Sequence, residues 1–328
     1  MGDPLEKVSA TINFEMFRPV LNKVFQKEAA RPGGRPAWDY VLMFKILLLQ
    51  QWYSIADDMT EYLINDRLSF QRYLGLTLGD KVPDAKTIWL YRENLTKSGA
   101  YKELFALFKQ QMENQGVITR SGSLIDASFV DAPKQRNTRE ENKVIKEGHG
   151  DELWEENENK RRQKDIEAKW TKKNDEIHFG WKDHVKVDYE SKLIVDYTVT
   201  DAAVHDSKEL TELIDEGDNA IYADSAYIGK ALHEGIMEMY PDLQLRINEK
   251  GFRNKPLTDE QKASNREKSR LRARVEHVFG HMTNSFGEIF IRSIGIARAK
   301  CQVGLKNLAY NLQRYEILVR LKKAPLPC

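Results

Sequence analysis

The apolar residues change their period at Gly116, and few folds accommodate that change. Before it, they recur three and four positions apart, as on helices. After it, they alternate in strand-like runs separated by helix-like ones. In the first part, "GGRP" at 33–36 is a break, and Asp39 is a capping residue for "YVLMFKILLLQQWY", which is apolar on most sides and therefore a buried helix. "SIADDMTEYLI" reads as a second helix with Ser54 as its N-cap. Asp84 opens and Gly99 closes a third, and "AYKELFALFKQQMENQG" ends a fourth on Gly116. Short helices with tight turns suit a helix-turn-helix arrangement, with the 84–97 segment entering a groove of nucleic acid. Its candidates for that contact are Lys86, Trp89 and Arg92. An ordinary helical domain is the plainer reading of the same pattern.

After Gly116 the order is strand, insertion, strand, strand, helix, strand, helix, strand, helix. "GSLIDASFVDA" is the first strand. A run of mixed charge follows at about 134–176, and within it "ELWEENENKRRQKDIEAKW" has helix formers and opposite charges at helical spacing. "HVKVDY" and "LIVDYTVTDA" form a hairpin. "DSKELTELID" is a helix capped by Asp206 or Ser207, "AIYADSAY" a strand, "GKALHEGIMEMY" a helix and "LQLRIN" a strand. The remainder is helical and basic. This order predicts an α+β chain: a ribonuclease-H-like mixed five-stranded sheet flanked by helices, over 117–328, with an all-helical N-terminal domain over 1–116.

In that fold the first and fourth strands are parallel neighbours, roughly 4.8 Å apart. Asp126 lies in the first and Asp224 ends the fourth, each preceded by apolar residues and followed by small ones that leave room for a phosphodiester. In the last long helix Leu271, Val275, Val278 and Met282 form the core stripe, and Glu276 lies off its centre, one turn after Arg272. Three such carboxylates suit hard divalent cations such as Mg²⁺, two of which can activate an attacking oxygen and stabilise a leaving one. Each acid also has a structural reading: a strand-end Asp as a helix cap, Glu276 as a surface partner of Arg272. Asp131, Asp188, Asp196, Asp201 and Asp206 also lie near strand ends. The grouping rests on element order, not on any single acid.

The net charge of +1 excludes nothing, but its distribution is informative. Residues 246–274 carry ten basic side chains, Arg253 and Lys255 among them, against four acidic. Arg292 to the end carries eight against Glu316 alone. Arg246, Lys250, Arg270, Arg272 and Arg274 are accordingly candidates for contact with a phosphate backbone. His205, in "VHDS", is a possible secondary site residue or the neighbour of a cap. Two cysteines without metal-type spacing, Cys301 and Cys328, suit a reduced compartment. The N-terminus does not read as a secretory signal, and the longest apolar run, "VLMFKILLL", is broken by Lys45 and too short to span a bilayer. No membrane partner is expected.

"LIDASFVDAPKQRNTREEN", "RQKDIEAKWTKKN", "KDHVKVDYESKLIVDYTVTDAAVHDS", "ADSAY" and "RARVEHVFG" together resemble the DDE transposases of bacterial insertion sequences, in the group called IS five. "GRPAWDYVLMFKILLLQQWYSIADDMTEYLINDRLSFQRYLGL" resembles the helical domain that precedes their catalytic core. The resemblance implies that Asp126, Asp224 and Glu276 are the catalytic triad and hold two Mg²⁺ ions, for which Mn²⁺ substitutes. It implies cleavage of double-stranded DNA at terminal inverted repeats and joining of the 3′-hydroxyl ends to target DNA. A homo-oligomer, expected as a dimer, would do this in the bacterial cytoplasm at the nucleoid. Arg272 keeps the family's step to Glu276, whereas Ser269 stands where Tyr is usual and Thr283 where Lys is usual. From residues alone, a metal-dependent nuclease, or a DNA-binding protein that no longer cuts, stays open on the same fold.

Overall fold

The Asp39 carboxylate accepts from the backbone N–H of Leu42 at 2.8 Å and starts the apolar helix where the sequence puts it. The computed structural model describes residues 2–26, 37–173, 175–227, 229–251, 256–287 and 290–325. The expected break at 33–36 lies outside them. The first part is helical: α1 Pro4–Thr11, α2 Arg18–Phe25, α3 Tyr40–Tyr53, α4 Asp57–Asp66, α5 Leu68–Leu74, α6 Ala85–Ser98 and α7 Ala100–Asn114. Asp84 caps α6 through the Thr87 N–H at 2.7 Å, and Gly99 ends it in the left-handed region, φ 71°.

Ser54 is not the N-cap of α4. It ends α3 with φ 48°, and its hydroxyl donates to the Phe286 carbonyl across the fold. α4 starts at Asp57 without a side-chain cap, its first turn carrying Asp57 and Asp58, acids that suit the positive end of the helix.

The second part runs β1 Ser123–Asp131, α8 Arg139–Lys146, α9 Glu158–Arg162, β2 Lys169–Lys173, β3 Glu176–Asp188, β4 Ile194–Asp201, α10 Leu210–Leu213, β5 Ala220–Ala223, α11 Lys230–Met239, β6 Gln244–Ile247, α12 Asp259–Phe286 and α13 Ile296–Arg320. β3 is the spine of the sheet. Along one edge it pairs antiparallel with β1; along the other, its first five residues pair with β2 and the rest with β4. β1 then pairs parallel with β5, and β5 parallel with β6. This mixed sheet flanked by helices is the ribonuclease-H-like arrangement with one addition: six strands instead of the expected five. The sixth, β2, comes from the charged insertion.

Helix formers led the sequence reading to overstate helix there. The helix stops after α9 because the buried Asp165 carboxylate accepts from the N–H groups of Glu167 and Ala168 at 3.0 Å and from Gly295 N–H at 2.9 Å. An aspartate that serves loop N–H groups competes with helix continuation. The chain then turns into β2, where Trp170 pairs opposite Phe179. Similarly, "DSKELTELID" begins as a single 3-10 turn over Asp206–Lys208, capped by His205 rather than by Asp206 or Ser207.

Both faces of the sheet are covered. Leu210, Leu213 and Ile236 pack with Ile125, Ile221 and Ala223 on one side. On the other, Leu305, Leu308 and Leu312 of α13 join Val185, Val187 and Ile194 in a core that continues through Phe44, Leu104 and Phe108 of the helical region. Each such fully buried side chain contributes about 1.5–3 kcal/mol relative to exposure. In α12, Val275, Val278 and Met282 are buried as expected and Phe286 joins them, while Leu271 is only half-buried. No helix among the described residues is long and apolar enough to cross a membrane.

Candidate catalytic carboxylate site

β1 and β5 are parallel with Ser123 opposite Ile221 and Leu124 opposite Tyr222. Two residues further in the same register, Asp126 stands beside Asp224. Ile125 and Ile221 are wholly buried on this edge; β5 ends at Ala223, so Asp224 sits just past its C-terminal end, while β1 runs on past Asp126 to Asp131. Asp224 also has a local task. Its carboxylate accepts from Ala226 N–H at 2.7 Å and shapes the one-turn 3-10 helix Ser225–Tyr227. The capping and the chemical readings of this acid are therefore compatible: one oxygen shapes the turn, the other is free of that task.

Asp126 is mostly buried, which raises its pKa, and the neighbouring Asp224 charge adds to the rise. The Ala127 N–H and Arg272 work against it. The Arg272 guanidinium is 3.3 Å from Asp126 and 3.7 Å from Glu276, and so bridges β1 to α12. Glu276 itself is 61% exposed. Its exposure comes from the α12 stripe, which turns Val275 and Val278 inward and leaves residue 276 outward.

The Tyr227 hydroxyl is buried with no hydrogen-bond partner among the described residues. Burial, then the charges of Asp126, Asp206 and Asp224, push its pKa well up, so it stays a neutral donor among acids. Sequence reasoning passed it over because a tyrosine after "ADSA" looks like core. The signal was its position three residues past Asp224.

Two adjacent carboxylates are an oxygen donor set that suits a hard divalent cation, although Arg272 now compensates Asp126. The third acid does not yet join them. Among the described residues no three His, Cys, Asp or Glu side chains converge as a metal cage. Arg272 stands between Asp126 and Glu276, so a three-carboxylate set needs Arg272 to swing out and Glu276 to swing in.

The other candidate residues divide by their partners. Arg92 makes a two-pronged pair with Asp57, both bonds at 2.7 Å, and is largely buried. Arg274 donates to the Tyr189 carbonyl at 2.8 Å and stacks on that ring at 3.8 Å. Arg246 donates to Gln244 at 2.7 Å but stays exposed on β6. Lys86, Trp89, Lys250 and Arg270 are exposed. Ser269, in the place of the usual Tyr, accepts from Asn248 at 2.9 Å. His205 is exposed and hydrogen-bonded to Ser207 at 2.8 Å, beside the turn that carries Asp224. Arg253, Lys255 and Cys328 lie outside the described residues.

Two families match this chain. The transposase DDE domain matches residues 118–312, and a transposase domain designated DUF772 matches residues 1–94. Among solved structures, a piggyBac transposase in a synaptic complex with hairpin DNA aligns over 100% of this chain and 78% of that one, at 11% identity and a TM-score of 0.47.

Proposed function

The chain belongs to the transposases with a DDE domain, and from that premise we propose that Asp126, Asp224 and Glu276 are its catalytic acids. As a DNA transposase of this family it depends on a divalent metal. The finer reading is that it cuts double-stranded DNA at terminal inverted repeats and joins the freed 3′-hydroxyls to target DNA. It would work as a dimer in the bacterial cytoplasm, in the manner of the IS five group, with 1–116 as the DNA-binding and multimerisation domain and 117–328 as the catalytic one.

The observation that carries this reading is the parallel register that brings Asp126 beside Asp224, with Glu276 one guanidinium away. Asp126, Asp224 and Glu276 would hold two Mg²⁺ ions, with Mn²⁺ as a substitute; bound there, the ions supply charge for an in-line phosphoryl displacement. The chain's own groups do the rest. Asp224 keeps its turn, and the space after it, open for a backbone. Tyr227 offers a neutral O–H beside the acids. Arg272 holds Asp126 and Glu276 in place until a cation replaces it.

The test is incubation of the purified protein with its own terminal repeats and Mg²⁺. End cleavage followed by strand transfer is expected. Cleavage without joining would favour a metal-dependent nuclease, and a mobility shift without cleavage a DNA-binding protein that no longer cuts.

A further inference from the structure

A basic groove runs between the helical region, the insertion and the segment after α12. It has a volume of about 660 Å³ and is lined by Trp89 of α6, by Arg161, Arg162 and Lys164 of the insertion, and by Arg292 and Arg298. It continues inward, through shared Arg92, Arg292, Ser293 and Gln302, into a pocket of about 300 Å³ whose wall includes Lys306.

Two carboxylates line this space, and both are already matched. Asp57 is held by Arg92, and Glu93 by Arg298 through bonds of 2.6 and 2.9 Å. That leaves Arg161, Arg162, Lys164, Arg292 and Lys306 as excess positive charge. Arg161 and Arg162 pair with Asp151 and Glu158 outside the lining, but those acids are 79% and 74% exposed, so the pairs are screened and weak. Arg292 has no carboxylate partner among the described residues. Lys306 is 3% exposed, and among the described residues its ammonium meets the neutral Ser54 hydroxyl and Gly287 carbonyl, each at 3.3 Å, and the Phe286 ring, with no carboxylate partner. Burial pushes it down to about 8. Among the described residues, then, this buried cation has neutral neighbours and no anion.

We propose that this groove grips the sugar-phosphate backbone of the same DNA duplex whose scissile phosphate lies at the carboxylate site. The spacing supports one continuous duplex. Phe290, two residues before Arg292, bridges to Asp131, and the Ile291 N–H donates to the Asp131 carbonyl at 2.9 Å. Asp131 is five residues beyond Asp126 on β1, roughly 17 Å along the strand. That is about five base pairs of duplex. Trp89, 48% exposed at the rim, offers an aromatic face beside the cations. The inference rests on the transposase reading for the position of the cut, but not for the binding itself.

The test uses the full-length protein with Arg161→Ala, Arg162→Ala and Arg292→Ala combined, and Lys143→Ala with Lys146→Ala on exposed α8 as the control. Binding of a duplex carrying the terminal repeat is measured against salt, with phosphate-ethylation interference for position. The triple variant should lower the slope of log affinity against log salt by about two to three units. It should also lose contacts centred about five base pairs from the cut. The control should change neither, and both proteins should melt within about 2 °C of the original chain. Lys306→Met supplies an independent probe of the inner pocket and should lower the slope by about one. An unchanged slope and unchanged interference pattern in the triple variant overturn the groove. If the original chain binds but never cleaves, the slope still judges the groove, while the transposase reading fails on its own.

Discussion

The Arg272 guanidinium meets the Asp126 carboxylate at 3.3 Å, across 146 residues of sequence. Its Nε has no hydrogen-bond partner among the described residues, so it is an incompletely satisfied cation in a site of acids. A divalent ion at Asp126 and Asp224 must therefore compete with it. In Arg272→Gln the competition disappears. Adding Mg²⁺ should raise the melting temperature of this variant more than that of the original chain. A tenfold gain in metal affinity corresponds to about 1.4 kcal/mol of extra stabilisation at saturating metal. An equal or smaller rise would show that Arg272 does not stand in for the ion.

Asp224→Asn separates the two roles of Asp224. The amide oxygen can still accept from Ala226 N–H, so the turn after β5 survives. Melting temperature and DNA affinity should stay near those of the original chain, whereas Mg²⁺-dependent nicking should fall by at least about a thousandfold. Full nicking by this variant would remove Asp224 from the catalytic set.

Much of this was legible in the sequence because local chemistry and tertiary role agreed. Asp39, Asp84 and Gly99 act as the cap and stop that their neighbours imply. The alternation in 123–131 and 183–201 gave the central strands, and element order alone put Asp126 next to Asp224. What was not legible depended on distant partners. Ser54 looks like an N-cap until Phe286, 232 residues away, takes its hydroxyl. Residues 152–170 are rich in helix formers, and Asp165 overrides them by serving Gly295, 130 residues away. Arg92 and Arg274 read as free cations, because neither Asp57 nor Tyr189 can be matched to them from spacing.

Gly304 pits propensity against packing. In a helix interior, Gly→Ala ordinarily stabilises by up to about 1 kcal/mol. Here α13 lies between Tyr197 of β4 and Tyr101 of α7, and a Cβ would come within 2.8 Å of the Tyr101 ring and closer still to the Tyr197 hydroxyl. Tyr197 cannot yield easily, since Phe105 packs edge-on against it with centroids 4.9 Å apart. Overpacking of this kind costs about 1–3 kcal/mol, so the clash should win. Gly304→Ala should lower the melting temperature by a few degrees. A rise would mean the tyrosines repack freely.

Asp183 should make stability fall as pH rises. Its side chain is wholly buried on β3; one oxygen accepts from Asn307 at 3.2 Å and the other has no partner among the described residues. Burial pushes its pKa up from 3.8 to about 7. Between those values the folded chain holds a proton that the unfolded chain has released. The contribution is therefore full below about pH 4 and lost as pH climbs through about 7. His184, next in sequence and pushed down to about 4, acts in the opposite sense, but it does so equally with or without Asp183. Comparing Asp183→Asn with the original chain isolates the aspartate. From pH 5 to pH 8 the difference in unfolding free energy should shift in favour of the variant, by roughly 2 kcal/mol. Urea unfolding at several pH values would measure this shift. A constant difference would mean that Asp183 is charged in the folded chain throughout that range, with Asn307 as sufficient compensation.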